Sequence, residues 1–101
     1  MLSRTKDLRN RVLIYMFADE WHFEVYNELC ERIWSGYWLK LSGENHAEAA
    51  RWIETFAPSE WPDREFVLCG CWGDEEAREA MLEIASRRKE FMLCDHTRWN
   101  I

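Results

Sequence analysis

The sequence predicts one small domain over residues 1–101 that mixes helix and strand, of α/β or α+β class, with about four strands alternating with three helices. Three observations lead there. Apolar residues recur at helical spacing in three segments, runs rich in aromatic and branched residues lie between them, and no linker, low-complexity tract or long repeat divides the chain.

Residues 12–17 form a continuous apolar run that reads as a buried strand, although Leu8, Val12, Tyr15 and Met16 would also share one helix face. Residues 20–35 place Val25, Tyr26, Leu29, Cys30, Ile33 and Trp34 at helical spacing, with Asp19 as a cap and Ser35-Gly36 as a stop, and predict a first helix. A short aromatic strand is expected over 37–41. A second helix is expected from Asn45, which with Glu48 resembles a capping box, to Ala57 before Pro58; its stripe is Ala49, Trp52, Ile53 and Phe56. A third, over 74–89, carries Ala77, Ala80, Met81, Ile84 and Ala85, with acids at its start and Arg87, Arg88 and Lys89 at its end, which suits the helix dipole. Strands over 65–72 and 90–96 flank it, and a strand–helix–strand connection of this length implies at least one parallel pair.

Those two strands echo one another. Glu65-Phe66-Val67-Leu68-Cys69-Gly70-Cys71 matches Glu90-Phe91-Met92-Leu93-Cys94-Asp95-His96 position for position. Parallel in equal register, they would gather Cys69, Cys71, Cys94 and His96 at one end of the sheet, and three thiolates with an imidazole form an accepted zinc set. The spacing is C-x-C and C-x-H, tighter than usual zinc spacing, so chelation would need a bend, which Gly70 permits. The plainer reading is that these cysteines are small buried hydrophobes and that no cofactor is held. A Cys71–His96 nucleophile pair is a further chemical reading, with only Asp95 at hand to orient it. Acidic Asp19, Glu20 and Asp95 at strand ends could hold Mg²⁺, though such residues also serve as ordinary caps, and His22 and His46 read as surface residues in the first turns of helices. Phosphate-loop, dinucleotide, zinc-protease and serine-hydrolase signatures do not occur.

Charge excludes some functions. The net charge is −6, with residues 12–86 holding sixteen acids against five bases, hence −11. Such a surface disfavours direct nucleic-acid binding and suits a basic protein partner. The longest apolar run, from Val12 to Ala18, is seven residues, too short for a bilayer, which needs about twenty, so no membrane association is expected. No export signal is read, and a cytoplasmic location with reduced thiols is the expectation.

The compositional oddity is seven tryptophans. Trp34 and Trp52 fall on the expected core stripes, whereas Trp21, Trp61 and Trp99 fall at element ends or in loops, and tryptophan is favoured as an interface anchor. The sequence therefore points to a protein-binding regulator or inhibitor, of the kind a virus or mobile element makes to block a host nucleic-acid enzyme. Its expected contacts are Glu24, Glu28 and Glu31 on the polar side of the first helix, with Trp21 or Trp61 as anchor. The alternative is a small zinc-binding or thiol-dependent enzyme built on Cys69, Cys71, Cys94 and His96.

Overall fold

A computed structural model of the chain describes residues 7–17, 20–39, 46–69 and 75–94. The elements run β1 (Arg11–Phe17), β2 (Glu20–Tyr26), β3 (Arg32–Leu39), α1 (His46–Glu60), β4 (Glu65–Cys69), α2 (Glu75–Arg87) and β5 (Phe91–Cys94). One mixed sheet holds all five strands in the order β3-β2-β1-β4-β5. β1, β2 and β3 form an antiparallel meander, while β4 runs parallel to β1 and β5 parallel to β4. The class is α+β, with five strands and two helices among the described residues.

The expected first helix over 20–35 is instead the hairpin β2–β3. Its sequence opens Glu-Trp-His-Phe-Glu-Val-Tyr, a strict polar/apolar alternation, and burial alternates with it so that Trp21, Phe23 and Val25 all face the core. Asn27 then breaks the run. Its Oδ1 accepts the backbone N–H of Leu29 and of Glu31, and Cys30 takes a left-handed φ of 61°. Gly36, expected to stop a helix, lies in mid-strand opposite Phe23. Residues 12–17 are strand, inside β1; of the strand expected over 37–41, residues 37–39 are the far end of β3, and 40 and 41 lie outside the described residues.

Both helices pack on one face of the sheet. Ala50, Ile53 and Ala57 of α1 and Met81 and Ile84 of α2 join Val12, Ile14, Trp21, Phe23, Val25, Phe66, Leu68, Phe91 and Leu93 in one continuous core. On the other face Leu8, Leu13, Val67, Cys69 and Cys94 form a smaller cluster edged by Tyr15 and Tyr26. The right half of the sheet is thus apolar on both faces, and β4 and β5 read as near-continuous apolar runs, as parallel strands do.

Pro58 does not end α1, which continues to Glu60. Proline has no N–H to give the Glu54 carbonyl four residues back. Arg88, just past α2, donates Nη1 to that carbonyl at 3.1 Å, and Arg87 forms a bidentate pair with the Glu54 carboxylate at 2.8 and 3.0 Å. The end of α2 thereby makes good the bond that Pro58 removes. No described helix is long and apolar enough to cross a membrane.

Candidate functional site

The two edges of the sheet differ. Every residue of β5 is buried. β3 is eight residues long, pairs with β2 alone among the described strands, and carries one charged residue, Arg32, at its start. Among the described residues the exposed large hydrophobics are Leu29 at 72%, Ile33 at 56%, Trp34 at 44%, Tyr37 at 59%, Trp38 at 37% and Trp52 at 38% exposure. All but Trp52 come from β3 and the turn that leads into it.

On the helix side of β3, Trp34 and Trp38 stand two residues either side of Gly36. The Trp34 indole lies over the glycine: a Cβ at position 36 would fall 2.5 Å from its Cη2 atom. Glycine is therefore required for this ring to lie flat on the strand. From there an aromatic cluster runs inward. The centroids of Trp34 and Trp38 are 6.3 Å apart, those of Trp34 and Trp61 5.7 Å, and those of Trp38 and Phe56 5.0 Å. Trp52 stacks on Phe56 at 4.6 Å, and Phe23 packs edge-on to Trp38 at 5.0 Å. The exposed indoles are therefore packed on buried Phe23 and on Phe56 and Trp61, which are partly buried.

On the opposite face, three rings stack across three strands. Tyr15 of β1 and His22 of β2 are 5.0 Å apart and nearly coplanar in orientation, 8° from parallel; His22 and Tyr37 of β3 are 5.6 Å apart at 25°. The register makes this stack, since Tyr15 lies opposite His22 and His22 opposite Tyr37. His22 Nε2 also lies 3.2 Å from the Glu20 carboxylate. Beside the stack, the Glu24 carboxylate accepts the hydroxyls of Tyr15 at 2.9 Å and Tyr26 at 2.6 Å and pairs with Arg32 at 3.4 Å. Burial, then the hydrogen bond to Glu24, pushes the Tyr15 phenol up to about 12, and the same causes in the same order raise that of Tyr26. Tyr15, His22, Glu24, Arg32, Ser35 and Tyr37 line a shallow groove of about 470 Å³ that ends at the β3 edge.

The expected contact residues are dispersed. Glu24 is not a solvated helix glutamate: its side chain is 13% exposed and engaged on a strand. Glu28 and Glu31 are exposed in the β2–β3 turn, so the three do not share a helix face. Trp21, at 1% exposure, is core and offers no surface for an anchor. Trp61 is half-buried against Phe23, Trp34 and Phe56, at the base of the exposed cluster. The sequence does not single out Trp38, Tyr37 or Tyr15, and the helix expected over 20–35 leaves His22 as a surface histidine apart from them. The alternation through residues 20–26 was the signal that would have put His22 and Glu24 on one strand face.

Of the cysteine–histidine set, Cys69 and Cys94 are buried directly opposite one another on β4 and β5, in the register the echo implied. Cys71 and His96 lie outside the described residues, as do Asp19, Asp95 and Trp99. Among the described residues no group of three His, Cys, Asp or Glu side chains is placed to hold a metal. The chain matches no family model, and comparison with curated proteins and with solved structures gives no match.

Proposed function

We propose that this chain is a protein-binding regulator that docks a basic partner on β3 and the aromatic residues around it. One observation carries the reading: among the described residues, the large apolar side chains that the fold leaves exposed are gathered on one edge strand and its turn, with Trp52 beside them. Tryptophan and tyrosine held by a packed base lose little freedom on binding, which favours them as anchors. The net charge of −6 supplies attraction to a basic surface, and nucleic-acid enzymes are a large class with such surfaces. An inhibitor that occupies one of them remains the form of the proposal that suits an acidic chain.

A photo-crosslinking residue placed at Ile33 or Tyr37 tests this in native extract. We expect one basic protein to be captured from both positions and not from Glu83 on α2, with the adduct weakened as salt rises. Equal capture from all three positions, or none from β3, would overturn the reading.

The second reading, zinc or thiol chemistry on Cys69, Cys71, Cys94 and His96, draws support from the Cys69–Cys94 register. It requires about one equivalent of zinc in protein purified without added metal, lost in Cys71→Ser.

A further inference from the structure

We infer that β3 takes its partner as an added strand, an extended segment with basic planar side chains on one face and aliphatic ones on the other. The inference rests on the partner-binding reading above and specifies how that site works.

Three features of the edge support it. First, an edge strand with a free side normally carries protection: short length, a central charge, proline, a bulge that twists the edge away, or cover by another element. β3 has eight residues, no proline, and a charge only at its first position. Its one irregularity is a bulge near Tyr26, where Tyr26 faces Arg32 and Val25 faces Trp34, which leaves Ile33 as the extra residue. From Trp34 to Leu39 the strand is regular. The opposite edge, β5, is buried throughout, so the exposure is particular to β3.

Second, the ring stack on the polar face stops at Tyr37. Tyr15, His22 and Tyr37 follow one another across successive strands, and no described ring lies beyond Tyr37, which is 59% exposed. A further strand at the ordinary spacing of about 4.8 Å would set its facing side chain against the outer face of Tyr37. A guanidinium is planar, stacks on an aromatic face and is drawn to an acidic chain, so arginine is the side chain that continues the stack with matching charge.

Third, alternation decides the other face. Residues of the added strand on either side of that arginine point to the helix side, where Trp34 and Trp38 are exposed on both sides of Gly36. Between two indoles, a branched aliphatic side chain buries apolar surface and suits a strand. The recognition pattern is therefore arginine alternating with valine or isoleucine, held by backbone hydrogen bonds to β3.

A synthetic peptide of alternating arginine and valine, the length of β3, tests this on the full chain by titration and amide exchange. We expect it to bind and to protect alternate amides of residues 34–39. A peptide of the same composition with valines and arginines in two blocks should bind at least about tenfold more weakly, because alternation rather than charge sets the fit. Methylating alternate backbone nitrogens gives two phases. Only the phase facing β3 should lose affinity, by about tenfold or more. Tyr37→Ala should weaken the peptide about threefold and Tyr37→Phe leave it unchanged, since the ring face and not the hydroxyl is used. Binding with no protection of β3, or equal loss from both methylated phases, would overturn strand addition while leaving partner binding through side chains intact. Absence of peptide binding would overturn it as well. So would sedimentation showing a dimer whose β3 amides are protected without peptide, because a second copy would then be the occupant.

Discussion

Tryptophans that are alike in sequence separate in the fold. Trp21 lies on the core face of β2 and is 1% exposed, whereas Trp38 lies on the same side of β3 and is 37% exposed. Truncating a fully buried large aromatic costs about 3–5 kcal/mol, so Trp21→Ala should lower the melting temperature sharply. Trp38→Ala should cost much less stability and mainly speed dissociation of the partner; thermal unfolding and dissociation rates on the same two variants check the split. Glu24 gives a second residue-scale expectation. The phenols of Tyr15 and Tyr26 ionise less readily in the folded chain, because of burial and then the hydrogen bond to Glu24. A folded-state pKa raised above the unfolded one adds stability that is fully present below about 10, the ordinary tyrosine value. That stability is lost as pH rises toward about 12 for Tyr15. Phenolate absorbance should show these two tyrosines titrating late. Glu24→Gln should bring both part of the way back, with the part due to burial remaining. None of this network is visible in the sequence, because the helix expected over 20–35 puts Glu24 on a face where Tyr15 and Tyr26 are not neighbours.

At the scale of elements, α2, β4 and β5 were legible because their signals agree, apolar period with end charges in α2 and short aromatic or branched runs in the two strands, whereas β1 kept a competing helix face and α1 was found by its stripe but not by its end. The hairpin was not legible. Residues 25, 26, 29, 30, 33 and 34 satisfy a helical period while residues 20–26 satisfy a strand period, and the helical stripe is the longer of the two. Composition could have settled it, since Trp21, Phe23, Val25, Tyr26, Ile33 and Trp34 are aromatic or branched, the types enriched in strands. Pro58 misled for another reason. Whether a proline ends a helix depends on the carbonyl four residues before it, and that of Glu54 is met by Arg88 from a distant element. This contact predicts a coupling. Arg88→Ala strands a carbonyl and should cost about 1–3 kcal/mol. In a Pro58→Ala background the backbone N–H is restored, and the same substitution should cost distinctly less. A double-mutant cycle by denaturant unfolding measures the difference, and additive effects would contradict the account. The Glu54 carboxylate, held below the usual range first by Arg87, adds stability above its ordinary value that should fade as pH falls through the lowered one.

Across the whole molecule, packing is graded from the parallel side to β3. β4 and β1 lie inside the sheet, and Phe66, Val67, Leu68, Val12 and Ile14 are at most 1% exposed. β2 has its core face sealed by Trp21, Phe23 and Val25, while β3 adds mostly half-covered rings. Regions with few buried apolar contacts open locally at a free energy well below that of global unfolding. Amides of residues 12–14 and 66–68 should therefore exchange only through global unfolding and show its full denaturant dependence. Those of β3 that bond to β2 should exchange through a smaller, local opening with little denaturant dependence. The β2–β3 hairpin is then the part whose order a partner can change most. Because the unfolded chain does not bind, a partner on β3 should slow the globally exchanging amides of β4 by the same factor as the local opening of β3, and leave unchanged only those openings that keep β3 in place. If native-state exchange instead found β3 as slow as β1, the strand would be part of the cooperative core, and its exposed rings would need a structural account rather than a binding one.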